Sequence, residues 1–244
     1  MVASGKPGKA GLFAAGMGGG MNLIWIRRRA LAIAAALALP VLFPFVGAAA
    51  PVFLGPTPYL KQADSPFNAD IISGTTFLET FEDHLLNTPG VSATCSPACG
   101  VTSVVFGAQI HDSVDADDGV IDGSGLAGDS FFFGGGATGI KFVFDALALG
   151  GLPTRAGIVW TDGAGTTLFE AFGPGDVSLG TIGPVSIADG SFNGETAEDR
   201  FFGVIDPGGI SAIKVSNTGG GIEVDHLQYG RQRPLDRSSS AVCA

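Results

Sequence analysis

Residues 155–182 read RAGIVWTDGAGTTLFEAFGPGDVSLGTI, and this stretch gives the clearest indication of the fold class. It contains three short runs rich in apolar, β-branched and aromatic residues, which predict strands. In the first run, Ile158 and Trp160 alternate with their neighbours in the manner of a strand with one buried face. Asp162-Gly163 follows this run and supplies the positive φ that a tight reversal needs. The predicted strands are 155–161, 166–173 and 176–182.

The same signature continues on both sides of this stretch. Short apolar runs separated by Gly, Asp, Asn and Pro predict strands along most of the chain, whereas helical periodicity is nearly absent. These features predict an all-β fold, a jelly-roll-like antiparallel β-sandwich over residues 75–230. Residues 51–74 lack periodicity and predict a linker, and residues 231–244 predict a disordered tail. The further predicted strands are 76–83, 103–110, 130–133, 139–145, 200–206, 210–216 and 221–229.

The N-terminal region predicts an exported protein. Three arginines at 27–29 precede an apolar run over 30–46 and small residues at 47–50, which is the order of a secretory signal peptide. We assign the signal to residues 21–50 and place residues 1–20 upstream of the true start. A retained membrane anchor is the competing interpretation, but the run is short and contains two prolines. We therefore expect an extracellular or cell-surface protein that contacts a membrane only through an uncleaved signal.

Charge limits the partners of the exported domain. The whole chain carries 13 basic and 23 acidic residues, a net charge of −10. Residues 1–50 hold five of the basic residues and no acidic one, so the rest of the chain has a net charge of −15. We expect such a domain to bind neither nucleic acid nor anionic lipid through a basic patch. A negative surface suits a cation, a neutral glycan, or solubility alone.

Cys95 and Cys99 lie in the segment Cys-Ser-Pro-Ala-Cys, close enough for a local disulfide in the oxidising compartment that export implies. A loop this short removes little chain entropy, so the bond would fix a local turn rather than hold the fold. A metal site at these cysteines is disfavoured, because no second Cys or His pair follows at a suitable spacing.

Six segments of the domain carry a resemblance to a known family. They are FED at 81–83, DSVDADDG at 112–119, GIVWTDG at 157–163, EDRFFGV at 198–204, GISAI at 209–213 and GIEVDHLQYG at 221–230. Together they resemble a family of exported bacterial β-sandwich proteins of unknown function, many of which end in a PEP-CTERM sorting tag. The likeness covers about residues 76–230. It does not include the tag, because residues 237–244 read RSSSAVCA and contain no Pro-Glu-Pro motif.

A broader likeness is to jelly-roll carbohydrate-binding modules. In those modules an acidic residue of the first strand and an aspartate of the last strand share a structural calcium ion. Carried over to this chain, the likeness implies Glu82 or Asp83 together with Asp225. Calcium takes six to eight oxygen ligands, which two distant carboxylates and backbone carbonyls of glycine-rich turns can supply. We therefore expect a structural calcium ion as the cofactor.

The densest group of acids in the chain lies at 112–122. It fails the EF-hand spacing, because with Gly119 at the sixth position the first and third positions would be Val114 and Ala116. Two interpretations stay open, an irregular calcium loop and a solvated turn with local hydrogen bonds, and the second is favoured. The acids are Asp112, Asp115, Asp117, Asp118 and Asp122.

Aromatic residues next to a turn are candidates for a ligand face. Trp160, beside the predicted turn at Asp162-Gly163, is the best candidate for stacking on a sugar ring, with Asp162 next to it. Most of the aromatic residues belong to the core on this pattern. Acids that would serve a glycosidase are present, but no arrangement stands out. Those acids are Asp162, Glu170, Glu198 and Asp199.

The sequence thus predicts a secreted, non-catalytic module that binds glycan or extracellular matrix material, with a structural calcium ion. A structural surface or matrix protein without a small ligand is the alternative. A glycoside hydrolase-like enzyme is a weaker one, because no nucleophile elbow or His-Glu-x-x-His motif occurs.

Overall fold

The computed structural model describes residues 49–96 and 112–231, which form nine strands, one short α-helix and four 3-10 turns. The strands are β1 (Val52–Pro58), β2 (Thr76–Glu79), β3 (Val91–Thr94), β4 (Phe131–Phe133), β5 (Ile140–Phe144), β6 (Arg155–Gly173), β7 (Val177–Val185), β8 (Arg200–Ile205) and β9 (Ala212–Gly230). The helix α1 spans Asn68–Ile72. The 3-10 turns cover Gln62–Asp64, Asp115–Asp118, Pro174–Asp176 and Thr196–Glu198.

All nine strands belong to one open antiparallel sheet, built around the 19-residue strands β6 and β9. The first half of β6 pairs with β8, and β8 pairs with the edge strand β1. The second half of β6 pairs with β7. Along β9, the first half pairs with β5 and the second half pairs with β4 and β2. The two long strands therefore carry two sets of shorter strands.

These two sets of strands face each other across one apolar core. Phe169, in the second half of β6, stacks on Phe202 of β8 with ring centroids 5.9 Å apart. Phe131 of β4 meets Phe142 of β5 at 5.7 Å. The second half of β6 is not paired with β8, and β4 is not paired with β5, so both contacts are made between layers. This arrangement is sandwich-like, and it confirms the all-β fold predicted from the sequence.

A second, smaller core covers the outer face of β6, β8 and β9. Val159 and Phe201 point away from the main core and pack with Tyr59, Phe67 and Val114. Tyr59 and Phe67 come from the segment after β1, and Val114 from the loop that follows residue 111. The first half of β6 is therefore buried on both faces, with all of residues 155–162 buried.

The segment 51–74, predicted as a linker, is part of the fold. It forms β1 and α1, and its Tyr59 is fully buried. Prolines at 56 and 58 obscured the strand in the sequence, but proline is tolerated on an edge strand, and β1 is an edge of the sheet. The short strand β3 was also missed.

The reversals predicted at Asp162-Gly163 and at residues 217–221 are not turns. Both lie inside the long strands β6 and β9, where the pairing shifts register between Trp160 and Asp162 and again near Ala164. The residues that favour turns form β-bulges here, which bend a strand without ending it. Each pair of predicted strands is therefore one continuous strand.

Several predictions concern residues outside the described ranges: the signal at 21–50, the strand at 103–110, Cys99, and the tail beyond residue 231. Within residues 49–96 and 112–231, no helix is long and apolar enough to cross a membrane.

Candidate functional sites

A β-bulge in β9 brings acidic and polar side chains to the second core. The register between β6 and β9 shifts between Gly157 and Val159, and His226 has a φ of 44°. The shift lets Asp225 and His226, although consecutive, both reach residues of the second core: Asp225 bonds the Val114 amide and His226 bonds Tyr59. The bulge therefore brings polar side chains of β9 together at the second core.

A chain of hydrogen bonds runs through the second core to Asp117. Ser65 Oγ donates to Gln228 Oε1 at 2.5 Å, and Gln228 Nε2 donates to the Tyr59 hydroxyl at 3.1 Å. The hydroxyl lies 2.8 Å from His226 Nδ1, and Nε2 of the same ring lies 3.0 Å from Asp117 Oδ1. With the imidazole proton on Nε2, every donor meets an acceptor and all the bonds run toward the carboxylate of Asp117.

Two of the buried aspartates in this region are satisfied by hydrogen bonds from the protein. Asp225 accepts from the backbone amides of Val114 at 3.1 Å and His226 at 2.5 Å. Asp115 accepts from the amides of residues 122 and 123 and from the hydroxyl of Thr196 at 3.0 Å. Asp115 therefore closes the acidic loop 112–123 and ties it to the 3-10 turn before β8. Its role in the fold is structural.

Among the residues that the structure describes, two other aspartates are buried without a hydrogen-bond partner. Asp199, directly before β8, is fully inaccessible, and neither of its carboxylate oxygens has a hydrogen bond from this part of the chain. Asp112 is 2% exposed, and both of its carboxylate oxygens are also unpartnered. Thr161 Oγ1 is unpartnered as well, and its residue is fully buried. Because Trp160 pairs with Arg200, the antiparallel register places Thr161 beside Asp199.

Burial and negative neighbours raise the pKa of these unpartnered carboxyls. For Asp112 the pKa rises to about 9, chiefly through burial and then through the charge of Glu223. For Asp199 burial raises the pKa well above the usual range, and Asp112 and Asp225 add to the effect. Burial and the nearby Asp117 likewise raise the pKa of Asp225. The side chains therefore form one electrostatically connected group, here called the buried carboxylate cluster: Asp112, Asp117, Asp199, Glu223 and Asp225.

Within the described part of the chain, no lysine or arginine pairs with Asp112 or Asp199. The ion pairs of lysine and arginine described there are Lys141–Asp176 and Arg155–Asp70, both elsewhere. Arg200 follows Asp199 in the chain, but its guanidinium donates to backbone carbonyls. A charged carboxylate that is out of contact with water and has no partner is costly, so Asp112 and Asp199 need either protons or a bound cation.

A separate open pocket of about 370 Å³ lies where β4, β6, β9 and the loop between β7 and β8 meet. Asp162 and Glu223, which are paired across β6 and β9, line one part of it. Phe192, 63% exposed, and Phe132 line another. The rest of the wall is mainly glycine backbone. At Gly221 a side chain would collide with the ring of Phe132, so glycine keeps this wall open.

Asp162 is the titratable group of this pocket with the clearest shift. Burial raises its pKa to about 7, against the opposing hydrogen bond from the Gly163 amide at 2.5 Å. The negative charge of Glu223 adds to the rise. The side chain is therefore able to donate or accept a hydrogen bond near neutral pH. The carboxylate of Glu223 is fixed by a residue outside the pocket, because its Oε2 accepts a hydrogen bond from the Asp112 amide at 2.5 Å.

The structure separates the residues predicted to bind a ligand. Asp162 lines the pocket. Trp160 is fully buried in the main core, and its Nε1 donates to Asn217 Oδ1 at 3.0 Å. An indole in this position has no face for a sugar, so Trp160 is corrected from ligand residue to core residue. Phe192, which sequence reasoning did not single out, presents the exposed ring instead.

The predicted calcium ligands differ in their surroundings. Glu82 lies at the rim of the carboxylate cluster: the charge of Asp117 contributes to its pKa of about 7, of which burial is the main cause, and its Oε1 accepts from the Asp129 amide at 2.8 Å. Asp83 is exposed, and its carboxylate is used locally, by the Leu85 amide and the side chain of Asn87. These bonds give Asp83 a turn-forming role, and its assignment as a metal ligand stays a prediction.

Cys95 is disulfide-bonded. Its predicted partner, Cys99, lies outside the described residues, so the pairing itself stays a prediction.

Sequence analysis named two site residues without connecting them, Asp112 in the acidic loop and Asp199 among the acids that could serve a glycosidase. Asp199 and Asp112 lie far apart in the chain, and only their meeting on one covered face of the sheet distinguishes them from surface acids. The signal that pointed toward Asp112 was the acid density of residues 112–122. No protein-family model matches the chain, and a search of curated proteins finds no match either.

Proposed function

We propose that this domain is a non-catalytic extracellular module that binds a neutral glycan in the pocket lined by Asp162 and Phe192. The observation that carries the proposal is an exposed aromatic ring beside a pair of carboxylates in a cleft with a glycine wall. Sugar rings stack their C–H faces on aromatic side chains, and carboxylates accept hydrogen bonds from sugar hydroxyls. Few precisely placed polar groups on a largely apolar wall are typical of small-ligand sites.

Charge narrows the class of glycan. Asp162 and Glu223 face the pocket, and the negative charges of Asp189 and Glu195 also act on Asp162. Acidic polysaccharides would be repelled by this group of carboxylates. The proposed ligand is therefore uncharged, and it contacts the pocket through one or two sugar rings, which match a volume of about 370 Å³.

The test is binding of the full chain to an array of neutral and acidic glycans, followed by variants measured on the best ligand. Phe192→Ala removes the exposed ring, and Asp162→Asn removes the charge while keeping the shape. We expect each to weaken binding about tenfold or more, the effect of losing roughly 1.4 kcal/mol. Leu147→Ala is the matched control, because Leu147 is a 91% exposed apolar residue outside the pocket.

Other results would favour the competing functions. A folded protein that binds no glycan would support a structural surface or matrix protein without a small ligand. Release of reducing sugar from the bound glycan, abolished by Asp162→Asn, would support a glycoside hydrolase that uses Asp162 with Glu223. The second outcome has a specific basis, since the two residues are neighbours and the pKa of Asp162 is about 7.

A further inference from the structure

We propose that Asp112 and Asp199 are the anionic ligands of a bound calcium ion, buried between the loop 112–123 and the first residues of β8. This site goes beyond the proposed glycan binding, because it lies in the covered second face of the sheet. It also differs from the Glu82, Asp83 and Asp225 set expected from the sequence.

Two buried carboxyl groups lack a partner within the described part of the chain. Four carboxylate oxygens, two on Asp112 and two on Asp199, accept no hydrogen bond from the described residues. The neighbouring carboxylates of Asp115 and Asp225, by contrast, each accept at least two hydrogen bonds from the protein. Asp112 and Asp199 therefore differ from these neighbours, and their unpartnered oxygens point to a partner from outside the protein.

The chemistry of the free oxygens selects the kind of cation. The donors are carboxylates and the buried hydroxyl of Thr161, which are hard oxygen ligands. His226 is the nearby nitrogen donor, but both of its ring nitrogens already bond, to Tyr59 and Asp117. Zinc and copper, which favour nitrogen and sulfur, are therefore disfavoured. Ligands from separate elements, with negative neighbours to neutralise, suit the irregular coordination of calcium better than the strict octahedron of magnesium.

The surrounding contacts hold the two ligands in place before the ion binds. The amide of Asp112 donates to Glu223 Oε2 of β9 at 2.5 Å, and the amide of Ser113 donates to the Gly125 carbonyl at 3.2 Å. On the other side, Thr196 in the 3-10 turn that leads to Asp199 is bonded to Asp115 at 3.0 Å. The loop and the start of β8 are thereby fixed to each other, so little chain ordering has to accompany ion binding.

The test measures calcium binding and thermal stability of the full chain after treatment with a chelator. Isothermal titration calorimetry with calcium chloride should give saturable binding, and excess calcium should raise Tm by about 5–10 °C, as expected at a hundredfold excess over Kd for a domain of this size. Asp199→Asn keeps the size of the side chain and should remove both effects. In chelator we expect this variant to be at least as stable as the wild type, because it lacks one buried acid.

Asp118→Asn is the matched control from the same loop. Asp118 is exposed and accepts a hydrogen bond from the Val120 amide, so this variant should keep the full response to calcium. Asp112→Asn is the second test variant, and it decides the matter if Asp199→Asn does not fold. A wild type without calcium binding would overturn the proposal and leave protons to neutralise the cluster. Retained binding in both Asp112→Asn and Asp199→Asn would overturn it equally.

Discussion

The two tyrosines of the chain allow one chemical change to be compared in two environments. Tyr59→Phe removes a hydroxyl that bonds both His226 Nδ1 at 2.8 Å and Gln228 Nε2 at 3.1 Å. All three residues are buried, so water does not replace the lost partner. Leaving one buried acceptor and one buried donor unsatisfied costs about 1–3 kcal/mol each. We therefore expect a loss of about 2–6 kcal/mol in the free energy of unfolding.

Tyr229→Phe is the internal control. Its hydroxyl donates to the Pro89 carbonyl at 2.6 Å in a part-buried position. The expected loss is about 1 kcal/mol. Urea denaturation followed by circular dichroism gives the free energy of unfolding of both variants. For a domain of this size the corresponding drops in Tm are roughly 4–24 °C and 2–4 °C. Equal losses, or a smaller loss for Tyr59→Phe, would refute the inference that the hydrogen-bonded chain through Tyr59 stabilises the second core.

Three further predictions follow from burial and close packing. Trp160→Ala should lower the free energy of unfolding by about 3–5 kcal/mol, as expected for a core aromatic. Phe192→Ala removes an exposed ring and should change this free energy by no more than about 0.5 kcal/mol. Urea denaturation of both variants checks the contrast. Gly157→Ala should cost about 1–3 kcal/mol because the added methyl would overlap the ring of Phe201, while Gly219→Ala meets no atom within 4 Å and should be nearly neutral in the same assay. Burial raises the pKa of both tyrosines above the ordinary 10.0, so ultraviolet difference spectroscopy should show them un-ionised at that pH in the folded protein. Above that pH only the unfolded chain releases the phenol protons, so the free energy of unfolding should fall as the pH rises further.

The strands of the main core could be predicted closely from local sequence. β4, β5 and β8 lie within one residue of the predicted ends, because compact apolar runs there are bounded by polar or glycine-rich segments. β1 was hidden by prolines, which an edge strand accommodates. The long strands β6 and β9 were each divided in two, since Asp-Gly and Asn-Thr-Gly sequences favour turns and bulges alike. Local signals therefore placed the strands but not their continuity.

The functional residues were less predictable because they depend on distant parts of the chain. The alternation around Trp160 correctly indicated one buried face, but the opposite face is also covered, by the segment after β1 and by the loop at Val114. That cover is what buries Asp199 and Asp112 together. The likeness to carbohydrate-binding modules implied that Asp225 is a calcium ligand, because Asp225 lies in the last strand. Asp83 was expected beside it, yet the chain turns away after β2 and uses this carboxylate locally.

The length of β9 also determines the order in which the domain can assemble. This strand pairs with β2, β4, β5 and β6, and it is the last strand of the described chain. Before residues 212–230 are available, β2 and β4 have no hydrogen-bonded neighbour among the described strands, and β5 is paired there only with β3. Contacts between residues so distant along the chain are closed late and slowly. The part of the sheet formed by β2, β4 and the β3–β5 pair can therefore be completed only when the final strand is present, whereas β1, β8, β6 and β7 can pair before it.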